Sequence, residues 1–272
     1  YFQDRGSFQK LLLAMIIGGI FPAVMMIYSG ITGFSYTHWD DFGGGFVRSM
    51  GWFHDMVAPK ILLFQTIAAI LLFNEYFSAR LVSKLFLLIM FGISCIGLYY
   101  CYSKSVIVIF IIWSVIWIIM KRKFFLLLLL PISILIVNYI SGDRIFEMVA
   151  AIFQNDLSII TGQVDESYLF QGRASGWENS INIFMNSPFL NKIFGLGTIA
   201  YGAHNDYLRV LLSTGLFGFV FYLIMLLYIG FRVMLGVFKR ATPLNVMAVM
   251  LYVWWIIDAI GTVVGMYPET IW

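Results

Sequence analysis

Charge is what this sequence has least of. Lys, Arg, Asp and Glu make up 11% of its 272 residues, against about 25% in soluble domains, which excludes a chain that lives in water alone. Cysteine and histidine are scarce too, at two and three. Cys95 and Cys101 fall on different faces of a helix and cannot form a metal pair, so both read as packing residues. There is no Pro/Ser-rich tract, no repeat and no cleavable signal pattern. The alternating segments of about ten residues that build a membrane barrel are also missing, which excludes an outer-membrane barrel. A net charge of +3 and a pI near 8.8 are ordinary for a membrane protein and imply no nucleic-acid partner.

What fills the space is apolar. Hydrophobic residues reach 61% and the mean hydropathy is +0.90, and runs such as "FFLLLLLPISILIVNYI" are apolar on every face. Spanning a bilayer takes about 20 apolar residues as helix. The chain therefore reads as an all-α polytopic membrane protein. Seven spans are expected, near 11–29, 58–74, 84–100, 105–120, 124–140, 216–236 and 244–266. Residues 1–140 would carry the first five, 141–215 an external domain, and 216–272 the last two. Arg5 and Lys10, Arg80 and Lys84, Lys121-Arg122-Lys123, and Lys239 with Arg240 occupy alternate short connections, which the positive-inside rule assigns to the cytoplasm. The chain begins at Tyr1 and ends on "MYPETIW", and it is expected to be a piece of a longer protein.

The long external stretch has helical apolar spacing in "RIFEMVAAIF" and "GRASGWENSINIFMNSP", so it reads as a small folded cap. In the second of these, Gly172 or Ser175 can start a helix and Asn186-Ser187-Pro188 stops it, with Arg173 and Trp177 one turn apart. Gly195, Gly197 and Gly202 permit tight turns or close backbone approach to a ligand.

The segment "YGAHNDYLRVLLSTG" follows. Residues 216–235 already suffice to span, so His204 to Ser213 should be extra helix at the external surface, with Gly215 and Gly218 allowing a bend. On that helix His204, Tyr207, Leu208 and Leu211 share one face, and Asp206 pairs with Arg209 at i,i+3. His204 either caps a helix at the interface or acts as a base that takes a proton from a hydroxyl, its tautomer held by Asn205 or Asp206. Arg173 offers a forked grip on phosphate, and Lys104, at the outer end of a two-span hairpin, offers a point charge. Both can instead be interfacial anchors.

These residues carry a resemblance. Arg173 with Trp177 and Pro188, "GLG" at 195–197, and "AHNDYLRVLLSTGLFG" at 203–218 resemble the C-terminal signature of the O-antigen ligase and O-antigen polymerase superfamily. "YSKS" at 102–105 resembles its Ser-Arg element, with Lys104 where arginine is usual. "GGGFVRSMGWFHDMVAPKILL" resembles, more loosely, its Gly-aromatic-His segment. Family members have more spans than this chain.

The resemblance implies a metal-independent GT-C-type glycosyltransferase of the bacterial inner membrane, without cofactor, whose active site faces the periplasm or exterior. Its donor would be a polyprenyl-diphosphate-linked glycan and its acceptor a glycan or a lipid-linked molecule, with a chain-length regulator as a further partner. His204 and Arg173 would be catalytic, Arg173 and Lys104 would bind the diphosphate, and Asn205, Asp206, Tyr207 and Trp177 would support them. Polymerisation of lipid-linked repeat units is the leading expectation. Ligation of the finished glycan to lipid A-core or another acceptor is the alternative.

A transporter or flippase would instead pair ionisable groups inside the spans, and only Asp258, in "WWIIDAIGTVVG", speaks for that. A structural hydrogen bond to a neighbouring helix is the other reading of Asp258. His38, Asp40, Asp41, His54 and Asp55 lack the spacing of a recognised metal site and read as solvated loop residues or acceptor contacts. Trp39, Trp52 and Trp177 suit sugar stacking and interfacial anchoring equally. Pro131 should kink its helix.

Overall fold

The computed structural model describes residues 5–34, 57–75, 81–101, 103–122, 135, 138–139, 146–147, 149–150, 153–154, 158, 161, 173–197 and 204–261. Every regular element among them is a helix: α1 (Arg5–Thr32), α2 (Val57–Glu75), α3 (Leu81–Tyr100), α4 (Lys104–Met120), α5 (Arg173–Asn186), α6 (Phe189–Phe194), α7 (Asp206–Lys239) and α8 (Pro243–Gly261). Four of them, α1, α3, α7 and α8, are long and apolar enough to cross a membrane, and α2 and α4 contain the shorter apolar stretches Ala58–Phe73 and Ser105–Met120. The all-α, membrane-spanning character expected from composition is therefore present. The expected span at 124–140 lies almost wholly outside the described residues, as do Pro131 and most of the expected cap before Arg173.

The chain divides into two compact units, Tyr1–Ile152 and Phe153–Trp272. In the first, α1, α2 and α3 pack on one another and α4 packs on α2. The stripe Phe8, Leu12, Ile16, Ala23 and Met26 of α1 is buried, whereas Ile17, Phe21, Val24 and Tyr28 on the same helix are exposed. That division follows helical periodicity even though both faces are apolar, because in lipid an exposed face has no reason to be polar. Packing and polar links take over the work that water does elsewhere. The Gln65 Nε2 donates to the Ile16 carbonyl at 2.9 Å, across the face of Gly19, where a larger residue would strike the Gln65 side chain. Cys95 is half-buried and Cys101 buried, and neither is in a disulfide.

In the second unit α7 is the central element, touched by α5, α6 and α8. Tyr252 of α8 donates to the Leu226 carbonyl at 2.9 Å, its ring lying over Gly230. The α7–α8 turn is closed by Asn245, whose Nδ2 donates to the carbonyls of Gly236 (2.9 Å) and Arg240 (2.8 Å), a second donor for each beside the backbone amides of Arg240 and Thr242. Away from these contacts Phe217, Phe221, Leu227, Phe231 and Phe238 are exposed, an apolar surface that water would not tolerate at this extent.

Although α7 runs on as one element, its helical geometry breaks at Gly215, with φ 68° and ψ −171°. Gly195, after α6, has φ 84° and ψ 175°. Both lie in a backbone region that is essentially open only to glycine. The two glycines also meet: a Cβ on Gly215 would fall on the Ile193 carbonyl, and one on Gly195 on the Ser213 carbonyl. Around them the Leu196 amide donates to the Leu212 carbonyl (2.8 Å) and the Gly197 amide to the Ser213 carbonyl (3.2 Å). The stretch after α6 thereby serves carbonyls at the break, which explains how a helix can be interrupted without orphaned backbone groups.

Candidate functional site

The break at Gly215 sets residues 206–214 apart as a short helical head on the apolar shaft of α7. The extra helix and the bend expected from the sequence are both present, with one difference in each. The bend is at Gly215 alone, since Gly218 lies within the helical geometry that resumes after it. The head starts at Asp206, not at His204, because Asn205 is an N-cap in extended conformation (φ −153°, ψ 116°) whose side-chain oxygen accepts from the Leu208 amide at 3.1 Å. A capped start fixes where the helix begins. His204 therefore does not share a helix face with Tyr207, Leu208 and Leu211. It stands just ahead of the cap, exposed, in the left-handed region at φ 41°. Non-glycine residues are uncommon there, histidine less so than most.

Behind His204 the head is tied down by polar contacts. Asn205 and Asp206 are buried, Asp206 to 1% exposure. The Asp206 Oδ1 accepts from Arg209 Nε at 2.7 Å and lies 2.7 Å from its Nη2, the i,i+3 pair expected from the sequence. The Asp206 Oδ2 accepts from the Tyr222 hydroxyl at 3.2 Å, a link across the Gly215 break that no local spacing announced. With both oxygens engaged inside the protein, Asp206 is a strut of the site. Tyr207 stacks edge-on against Tyr222 with ring centroids 6.1 Å apart, and its hydroxyl donates to the Ile256 carbonyl of α8 at 3.1 Å.

Arg173 reaches the same end of α8. It is the first residue of α5, half-buried, with Trp177 one turn behind it, also half-buried. Its Nη1 lies 3.0 Å from where a Cβ on Gly261 would be. Gly261 and Ile256 are separated by five positions, about 7.5 Å of helix rise. The Arg173 guanidinium and the segment carrying His204 are thus both docked on the last turns of α8, and a side chain at 261 would press on the guanidinium. α5 itself runs as the sequence indicated, from Arg173 to Asn186, and Ser187-Pro188 ends it. The short helix α6 that follows was not anticipated.

Lys104 opens α4 in the first unit, preceded by Ser103, which is buried and within 3.2 Å of the Ser105 hydroxyl. The Lys104 side chain lies outside the described ones. His38, Trp39, Asp40, Asp41, Trp52, His54 and Asp55 lie outside the described residues. Sequence reasoning passed over Tyr222 and Gly261 altogether. Comparison of the chain with family models, with curated proteins and with solved structures finds no match.

Proposed function

We propose that this chain is a multi-pass glycosyltransferase of the bacterial inner membrane, joining polyprenyl-diphosphate-linked oligosaccharide repeat units at the external face. The observation that carries the reading is the docking of the Arg173 guanidinium and the His204-Asn205-Asp206 segment on one end of α8, with His204 held out to solvent by the cap behind it. The order of these residues and their likeness to the O-antigen ligase and polymerase signature supply the reaction class.

In the proposed reaction the acceptor hydroxyl oxygen forms a bond to the anomeric carbon of the donor sugar. The bond from that carbon to the diphosphate oxygen breaks, its electron pair leaves with polyprenyl diphosphate, and the hydroxyl proton passes to the His204 imidazole. Arg173 holds the departing phosphate oxygens through its planar fork. Seven spans, a folded external cap and a polyprenyl tail lying among the helices belong to the same proposal, as does the placement of the basic connections in the cytoplasm.

The test is transfer from purified lipid-linked donor by full-length wild type and His204→Ala, each with and without EDTA. The reading expects turnover by wild type in both conditions and none by the variant. Product from His204→Ala at the wild-type rate would reduce His204 to a structural residue, and loss of wild-type turnover in EDTA would bring the loop histidines back as metal ligands. Ligation shares the same residues and is separated from polymerisation by the product: donor units joined to one another, or glycan moved to a lipid A-core acceptor.

A further inference from the structure

We infer that α6 dips into the bilayer surface and seats the break of α7 at the boundary between hydrocarbon and headgroups. On this helix of six residues Phe189, Leu190, Ile193 and Phe194 share one side by helical spacing, and Asn191 and Lys192 take the other. In a helix surrounded by water the apolar side would face the protein. Here Phe189, Leu190 and Phe194 are 74%, 65% and 64% exposed, while Asn191 and Lys192 are half-buried. Ile193, whose carbonyl meets Gly215, is half-buried too. An apolar side turned outward is what a helix presents when its solvent is lipid.

What covers this side follows from what it joins. The Phe194 ring lies 6.3 Å from the Phe217 ring, and Phe217 meets Phe221 edge-on at 4.9 Å, both of them exposed on the shaft of α7. α7 is long and apolar enough to cross a membrane, so a continuous aromatic surface runs from α6 onto a membrane-spanning shaft. The length of the shaft places the boundary at the break. Arg232 and Arg240 stand 17 and 25 residues beyond Gly215, which is about 26 and 38 Å of helix rise and brackets the roughly 30 Å of hydrocarbon. Those cations suit the far boundary. α6 is tied to the near one, since the Leu196 and Gly197 amides just after it donate to the Leu212 and Ser213 carbonyls of the head. Lipid contact by α6 thus sets the depth at which the head and His204 stand. Nothing in this placement depends on the transferase reading.

The test is spin labelling of the full chain in vesicles of phosphatidylethanolamine and phosphatidylglycerol, with no lipid-linked glycan added. A nitroxide is attached at Leu190→Cys, at Phe221→Cys on the shaft and at Glu178→Cys, an exposed position of α5, with Cys95 and Cys101 replaced by alanine. Its collisions with oxygen, which partitions into lipid, are compared with its collisions with a water-soluble nickel chelate. The Leu190 label should collide with nickel several times less often than the Glu178 label and lie shallower than the Phe221 label. Nickel collisions as frequent as at Glu178 would place α6 in water and overturn the anchor. Few collisions with either reagent would mean that protein covers this side, whether a second copy or another part of the chain, and would overturn it equally. Should the cysteine-free background fail to fold, a photocrosslinking amino acid at Leu190 of the otherwise native chain gives the same answer by mass spectrometry: adducts with lipid support the anchor, and adducts with protein alone refute it.

Discussion

The Tyr222 hydroxyl and the Asp206 carboxylate are joined at 3.2 Å across the break in α7. One end of this link sits on the shaft and the other in the head, so the angle between the two is held by a side-chain bond as well as by backbone. Asp206 accepts from Arg209 with its other oxygen, and the head is anchored to α8 through Tyr207.

Tyr222→Phe removes one hydroxyl and should cost about 1 kcal/mol, the usual net worth of a hydrogen bond to a protein acceptor. Asp206→Ala should cost more, about 1–3 kcal/mol, because it leaves the hydroxyl without its acceptor and the guanidinium without its carboxylate. Arg209 is partly solvated at 20% exposure, which keeps that figure below the range for a fully buried pair. Urea or thermal melts of purified variants in detergent give the order, and equal stability for the two would contradict the strut.

Asn205→Ala is expected to lose about 0.5–2 kcal/mol through the cap. Asn205→Asp or Asn205→Ser, which keep a side-chain acceptor, should lose little. If instead all three substitutions abolish transfer equally while the melts stay unchanged, Asn205 works on the His204 imidazole and not on the helix.

Gly215→Ala should, like Gly195→Ala, be among the most damaging small substitutions in this region. It forces alanine into a glycine-only backbone region, worth about 1–3 kcal/mol, and drives the new methyl group into the Ile193 carbonyl, a backbone atom that cannot step aside. Gly218→Ala meets Thr214 at its Oγ1 and its Cβ, of which rotation moves only the first, and it should be the milder of the two because position 218 has helical backbone angles that alanine adopts without strain. Yield of folded protein by size-exclusion chromatography distinguishes them, and tolerance of Gly215→Ala would mean the break is not required.

Arg173→Lys should express normally yet lose most transfer activity, since a lysine keeps the charge but not the planar fork. Measured with the same lipid-linked donor, full activity in Arg173→Lys would remove Arg173 from the diphosphate.

His204→Ala should cost about 10²–10⁴ in rate with no change in melting temperature, because the side chain is exposed and precedes the cap. A variant that melts lower by as much as Asn205→Ala would place His204 in the fold of the head.

Much of this could be read without coordinates, and for a local reason. The membrane character follows from composition, the stop of α5 from Asn186-Ser187-Pro188, and the Asp206–Arg209 pair from i,i+3 spacing, each settled by residues within a turn or so of one another. The bend in α7 was legible only as two glycines. Which of them breaks the helix is decided by α6, because Gly215 alone meets Gly195 and the Ile193 carbonyl. His204 looked helical because its apolar neighbours keep the period, and it is not, since the Asn205 side chain competes for the first free amide and wins. The contacts that assemble the site are of another kind: Tyr222 with Asp206, Tyr207 with Ile256, Arg173 beside Gly261. They join residues far apart in the chain, and no periodicity encodes them. Only the packing of α5 and α8 at the head of α7 brings an arginine to a glycine with no side chain to block it.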